Sequence, residues 1–281
     1  MNGQQTHNTA NHWFPYWKCA PVKYKPAQPV MPVIHKDPET FIRKQLYIDP
    51  DPKQTWLLKE KHSRMLINCS RQWGKSTITA AIALHRLLTE PGKTILVVCP
   101  SQRQSAIFVG IVKGFVTDLG MRVRGDGENR CSVLLPNGSR IIGLPGRSGH
   151  MIRGFRNVIM LIVDEASRLP DHVFFSAYPA VSQSKADIWA LSTPYGKQGF
   201  FYNCWANGGD EWERLSAPAT ECPRIGAEEV EKARRLMGDD WVRQEYLCEF
   251  VDIEGTIFDR DRIEEAFTRE IDVLGGPEWS G

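Results

Sequence analysis

The stretch RMLINCSRQWGKSTITAAIALHRLLT, residues 64–89, sets an apolar run, a short polar loop and a periodic run in direct succession. RMLINC reads as a short buried strand. Residues 76–89 read as a helix with apolar side chains at 78, 82, 84, 87 and 88, which Pro91-Gly92 brings to an end. Between them, Gly74-Lys75-Ser76 closes a loop that nearly matches G-x-x-x-x-G-K-[ST], the pattern of a phosphate cradle. A cradle requires a strand ending in exposed backbone N–H groups, followed by a helix whose N-terminus faces the anion. That order is present here. The departure is at the first position, where Cys69 stands in place of glycine. A small side chain is tolerated there if the first turn needs no positive φ, whereas Gly74 is harder to replace.

Outward from this unit the chain alternates between strand and helix. TILVVC (94–99) predicts a second buried strand, and Ser101 can cap a helix running from near Gln102 through Phe115 to Leu119. CSVLL and RIIGL flank Pro136-Asn137-Gly138, a hairpin signal. VIMLIV (158–163) suits a central parallel strand buried on both faces, and DIWALS (187–192) repeats the pattern more weakly. The expected fold class is therefore α/β, with a mostly parallel sheet flanked by helices. From about residue 226 the chain turns charged and helical, with Trp241, Tyr246 and Phe250 as anchors of a small appendage. Residues 1–38, with prolines at 15, 21, 26, 29, 32 and 38, suit an extended arm.

The 281 residues, 42% apolar, can bury one substantial core or two modest ones, and a net charge of +2 leaves any nucleic-acid surface to a local patch. Between Gly114 and Ser184 there are eight arginines (122, 124, 130, 140, 147, 153, 156, 168) and no lysine. Guanidinium forks suit phosphate oxygens. Seven scattered cysteines without C-x-x-C spacing argue for a reducing compartment and against a zinc site. No signal-peptide core and no membrane-length apolar run is present, which predicts a soluble protein of the cytoplasm without a membrane partner.

Asp164-Glu165 follows the apolar strand 158–163, so a parallel sheet would carry both carboxylates into its ligand crevice. There Asp164 would hold Mg²⁺ and Glu165 would orient and deprotonate the attacking water. Gln54 lies 21 residues before Lys75; its amide can pair with adenine, and an exposed loop glutamine is the plain alternative. Ser192 and Thr193 end another strand, where their hydroxyls could sense a γ-phosphate or merely cap a turn. Arg153 and Arg156, ahead of the acidic strand, and Arg71, inside the loop, compete for the role of an arginine finger.

In this order the motifs resemble the ATPase domain of the large terminase subunit of tailed bacteriophages and their prophages. The resemblance rests on Pro-Asp-Pro-Lys-Gln (50–54), Ser-Arg-Gln-x-Gly-Lys-Ser (70–76), Ile-Arg-Gly (152–154), Val-Asp-Glu-Ala (163–166), Ser-Thr-Pro (192–194) and Glu-Tyr-x-x-Glu-Phe (245–250). It covers about residues 40–265. It implies a RecA-like P-loop NTPase core of the ASCE class at 39–225, a lid subdomain at 226–253 and a C-terminal linker at 254–281. It also implies ATP and Mg²⁺ as ligands, with Ser70, Arg71, Gln72, Trp73, Gly74, Lys75, Ser76 and Thr77 around the phosphates and Gln54 on adenine. Ser76 and Asp164 would ligate the metal, and Lys75 and Glu165 would act in catalysis. Arg153 would act on the next subunit's ATP, while Ser192, Thr193 and Pro194 would couple hydrolysis to movement. The implied assembly is a homomeric ring, commonly a pentamer. It would dock on a portal protein with a small terminase subunit and draw double-stranded DNA into a procapsid in the bacterial host cytoplasm.

Large terminases carry a second, nuclease domain, for which the segment after residue 265 is too short, so ATP hydrolysis without DNA cleavage is expected. The alternative is a helicase-like or other nucleic-acid translocase built on the same core. Two-domain helicases, however, need a second RecA-like lobe that does not fit here.

Overall fold

A computed structural model describes residues 32–129, 131–146 and 154–252. The elements in chain order are α1 (Pro38–Gln45), α2 (Pro52–Lys59), β1 (Arg64–Cys69), α3 (Lys75–Thr89), β2 (Thr94–Cys99), α4 (Gln102–Asp118), β3 (Ser132–Leu134), β4 (Arg140–Pro145), β5 (Val158–Asp164), α5 (Asp171–Ser182), β6 (Asp187–Ser192), α6 (Gly199–Asn207), β7 (Glu213–Ala217), α7 (Ala227–Met237) and α8 (Asp239–Glu245). Of the extended arm expected at residues 1–38, residues 1–31 lie outside the described residues, as do the segment after 252 and Arg130, Arg147 and Arg153.

The strands form a seven-stranded sheet in the order β3-β4-β2-β5-β6-β1-β7. Every pairing is parallel except β3 with β4, the hairpin expected around Asn137. Both faces of the sheet are covered. Met65 and Ile67 of β1, Ile95 and Val97 of β2, Met160 and Ile162 of β5 and Trp189 and Leu191 of β6 enter one core with α1 to α4. Their neighbours Leu66, Leu96, Val98, Leu161, Val163, Ile188 and Ala190 point the other way, into a second core under α5 and α6. Residues i and i+2 share a face, so near-continuous apolar strands are what a doubly covered sheet requires. Each fully buried Leu, Ile or Met contributes about 1.5–3 kcal/mol.

Helix ends follow local chemistry. Ser101 caps α4 in a reciprocal box with Gln104, and Asp51 does the same for α2 with Gln54. Gln54 is therefore a helical residue, 4% exposed, and the exposed-loop alternative falls away.

The C-terminal helices are less separate than an appendage. Val230, Ala233, Val242 and Tyr246 join the same core as β1 and α3, with Trp241 packed beside them. Phe250 crosses to the other core, against Phe201, Tyr202 and Trp205. Residues 242–250 thus grip the sheet from both faces. No described helix is long and apolar enough to cross a membrane.

Candidate functional site

The site is built where β1, β5 and β6 end. In the strand order, β6 lies between β1, which leads into the loop, and β5, which carries the acids. All three run parallel, so their C-terminal ends share one edge of the sheet, and there the residues that follow them meet.

Cys69 closes β1 with a buried side chain, and its Sγ lies 3.9 Å from the Ser192 carbonyl. Its backbone is strand, so nothing at this position demands glycine. The left-handed residues are Gln72 (φ 64°) and Gly74 (φ 92°). The positive φ of Gly74 favours glycine, and a Cβ there would also stand a tight 3.3 Å from Gln54 Nε2. Gly74 then opens α3. The amides of Lys75, Ser76 and Thr77, in its first turn, have no carbonyl one turn back and are free to face an anion.

Lys75 Nζ lies 2.9 Å from Glu165 Oε1, and Ser76 Oγ donates to Asp164 Oδ2 at 2.9 Å. These two contacts join the loop to the acid pair across one intervening strand. Burial alone would lower the Lys75 pKa, but the neighbouring charges outweigh it and the net shift is upward. The Cys69 thiol is itself pushed far up by burial and stays neutral at ordinary pH, so the effective charges are the carboxylates of Glu165 and Asp164. Burial pushes Asp164 up to about 6, with Glu165 adding to the rise and Lys75 opposing it. Glu165 takes a left-handed conformation (φ 56°), a strain of about 1–3 kcal/mol that turns its side chain out of the strand direction toward Lys75. The Asp164 carboxylate and Ser76 hydroxyl are hard oxygen donors that fit Mg²⁺ in type and spacing.

Other candidates divide. The Trp73 side chain is buried in the core, so this residue meets the site only through its backbone. Its carbonyl accepts from Gln54 Nε2 at 2.9 Å and from Arg224 Nη2 at 2.7 Å. Asp51 joins the same cluster through Arg224 Nη2 at 2.8 Å. Gln54 therefore braces the loop with the amide expected to read adenine. Ser70 and Thr77 lie on the loop, and Arg71 is more than half exposed, turned to the C-terminal helices over the Trp241 ring.

Ser192 and Thr193 are buried. The Ser192 and Ser167 hydroxyls are 2.6 Å apart, and Ser167 Oγ donates to the Thr193 carbonyl at 2.7 Å. Each hydroxyl has one proton, so Ser192 is the donor to Ser167 and is engaged with the turn after the acids. Pro194 continues this segment. Arg156 is exposed two residues before β5, whose length of about 20 Å separates it from Asp164 at the other end, too far to serve its own loop. Of the remaining arginines, Arg140 faces Asp126 and Glu128 at 3.7 and 3.9 Å, and Arg122 and Arg124 are exposed.

Sequence reasoning missed Arg168, Glu245, Gln244 and Arg224. Arg168 Nη2 donates to Glu245 Oε1 at 2.9 Å, Arg71 N donates to the Glu245 carbonyl at 2.8 Å, and Gly196 N donates to Gln244 Oε1 at 3.1 Å. The one signal available was the Glu-Tyr-x-x-Glu-Phe segment itself, which marks the region but not its partners.

The chain is similar to several known proteins. The large terminase subunit of Escherichia phage T5 is 27% identical over 210 residues, covering 72% of this chain and 47% of that protein. The chain thus spans about half the length of that relative. Among solved structures, the Thermus phage P74-26 large terminase ATPase domain superposes with a TM-score of 0.67 at 23% identity, covering 76% of this chain and 99% of that one. The large terminase of another thermophilic bacteriophage, solved in complex with ADP, gives a TM-score of 0.62 at 16% identity, covering 76% of this chain and 57% of that one. At these identities the structural likeness speaks to the fold, a mostly parallel α/β core of the RecA-like kind. A family model described as the terminase large subunit, T4likevirus-type, N-terminal, matches residues 66–265, well over half of the chain, and the protein belongs to that family.

Proposed function

We propose that this chain is an ATP-hydrolysing motor that translocates double-stranded DNA during packaging of a phage genome. The observation that carries the reading is the joining of loop and acids: Lys75 to Glu165 and Ser76 to Asp164, each at 2.9 Å. An anionic γ-phosphate arriving at the first turn of α3 would compete with Glu165 for the Lys75 ammonium. Glu165, so released, would orient a water and take its proton. Mg²⁺, held by Ser76 and Asp164, would neutralise charge on the phosphate chain when bound. The amides of Gly74, Lys75, Ser76 and Thr77 would cradle the phosphates, and Gln54 would set the base against the loop it braces.

Residues 39–225 would form the motor core and 226–253 a lid. The Ser192 to Pro194 segment would carry hydrolysis to the lid, to which it is tied through Gly196 and Gln244. Arg153 would complete the site of a neighbouring subunit in a homomeric ring, with a portal protein and a small terminase subunit as further partners. The exposed Arg122 and Arg124 offer phosphate contacts for DNA.

Phosphate release from ATP, followed with and without linear duplex DNA and across protein concentration, tests the reading. Mg²⁺-dependent turnover that DNA accelerates is expected, rising per subunit with concentration. Absence of turnover under all conditions overturns the motor reading. Turnover per subunit that stays flat with concentration counts against Arg153 acting across an interface.

A further inference from the structure

The Glu245 side chain is only 3% exposed, yet its charge partners come from other elements. Arg168 Nη2 lies 2.9 Å from Oε1, and Arg71 Nη1 lies 3.8 Å from Oε2. A carboxylate buried this deeply depends on such partners, because removing them leaves an uncompensated charge.

The other limb of the Arg168 fork points into the site. Its Nη1 lies 3.4 Å from Glu165 Oε2 and 3.4 Å from Thr193 Oγ1, and the Tyr195 ring stacks on the guanidinium at 4.9 Å. One rigid, planar cation therefore faces two carboxylates. One belongs to α8 and the other is the residue assigned to activate water. The contact to Glu245 is short and the contact to Glu165 is long. Glu245 holds the guanidinium, and Glu165 keeps its own short contact, to Lys75, for its other oxygen.

We propose that Arg168 is a positioning residue through which the lid controls Glu165. Glu245 and Glu165 compete for the same guanidinium. While α8 is seated, Glu245 takes the short contact with Arg168 and limits Glu165 to the long one. When the lid moves, Arg168 closes on Glu165 and takes its carboxylate out of use. Hydrolysis then proceeds only with the lid seated. The catalytic half of this proposal rests on the reading of Glu165 as the water-activating carboxylate.

The test uses the full chain with Glu245→Gln, Arg168→Gln and the double variant. Glu245→Gln is close to isosteric. It should lower kcat on the order of tenfold, with KM for ATP changed less than about twofold, because the lost contact couples neighbouring groups without binding substrate. Adding Arg168→Gln should restore most of that loss, since no guanidinium is left to capture Glu165. Wild-type kcat in Glu245→Gln, or a double variant as slow as Glu245→Gln, overturns the proposal. Amide exchange over residues 165–168, measured without nucleotide, separates this from failure of the catalytic reading. Changed exchange in Glu245→Gln that reverts in the double variant, in a protein whose turnover ignores Glu165, would sink the catalytic reading and leave the coupling intact. Unchanged exchange would sink the coupling itself.

Discussion

The two ends of the parallel strands hold charge in different ways. At the N-terminal end, polar groups meet in short, separate contacts, although Arg86 Nε also lies 3.5 Å from Glu90 and Arg64 Nη1 is buried without a hydrogen-bond partner. Arg86 Nη1 meets Asp187 at 2.6 Å, His62 Nδ1 meets Glu213 at 2.7 Å, and the Trp189 indole donates to the His62 carbonyl at 2.9 Å. At the C-terminal end the same kinds of group are shared. Lys75 stands among Glu165 and Asp164, and Arg168 between Glu165 and Glu245. The closed end holds separate contacts, whereas the open end links Lys75, Arg168, Glu165 and Glu245 in one network, which keeps alternative pairings within reach of a site that must exchange partners.

Substitutions can break this contrast. The largest effect is expected at Lys75→Ala, which removes the cation from the open end. ATP turnover should fall by about 10²–10⁴-fold, of the order found when a group acting directly on the reacting atoms is lost. Retention of more than a tenth of the turnover would contradict the assignment. At the closed end, Arg86→Ala leaves Asp187 buried without its partner. A loss of about 3 kcal/mol is expected, the low end of the range for a broken buried pair because Arg86 is partly exposed. Denaturant unfolding measures that loss, and kcat should be unchanged. Equal damage to kcat would erase the distinction between the two ends.

A smaller effect concerns pH. Burial raises Asp164 from 3.8 to about 6, so its neutral form is favoured by folding. The stability it contributes is complete below about pH 4 and is lost as pH rises through about 6, an effect on the order of 3 kcal/mol. Without nucleotide or metal, wild type should therefore lose stability relative to Asp164→Asn between pH 4 and 7. A difference of the opposite sign would mean that Lys75 and Ser76 stabilise the carboxylate more than burial penalises it.

How much was legible in the sequence follows the same division. The loop, both core strands beside it and the acid pair are local patterns, readable because strand period, glycine placement and capping chemistry act over a few residues. The hairpin around Asn137 and the cap at Ser101 were legible for that reason. Gln54 was singled out as a candidate, yet its place in a helix went unread. Asp51 at the cap, Pro52 at the first turn and Gln54 at the third position do carry that signal. β7 was missed because ERLSA alternates weakly and sits at the sheet edge, where only one neighbour supports it. The Arg168–Glu245 pair spans 77 residues, and no local rule brings such partners together. Trp73 shows the converse, a motif position whose side chain serves the core while its carbonyl serves the loop.

The central claim is that the loop after Cys69 and the acids after β5 form one ATP-hydrolysing site. Its most direct test is Glu165→Gln, with ATP binding measured by titration calorimetry and hydrolysis by single-turnover phosphate release on the same preparation. The account predicts ATP affinity no weaker than wild type, since the Glu165 carboxylate no longer competes for Lys75, together with turnover reduced to background. Hydrolysis at the wild-type rate would contradict it.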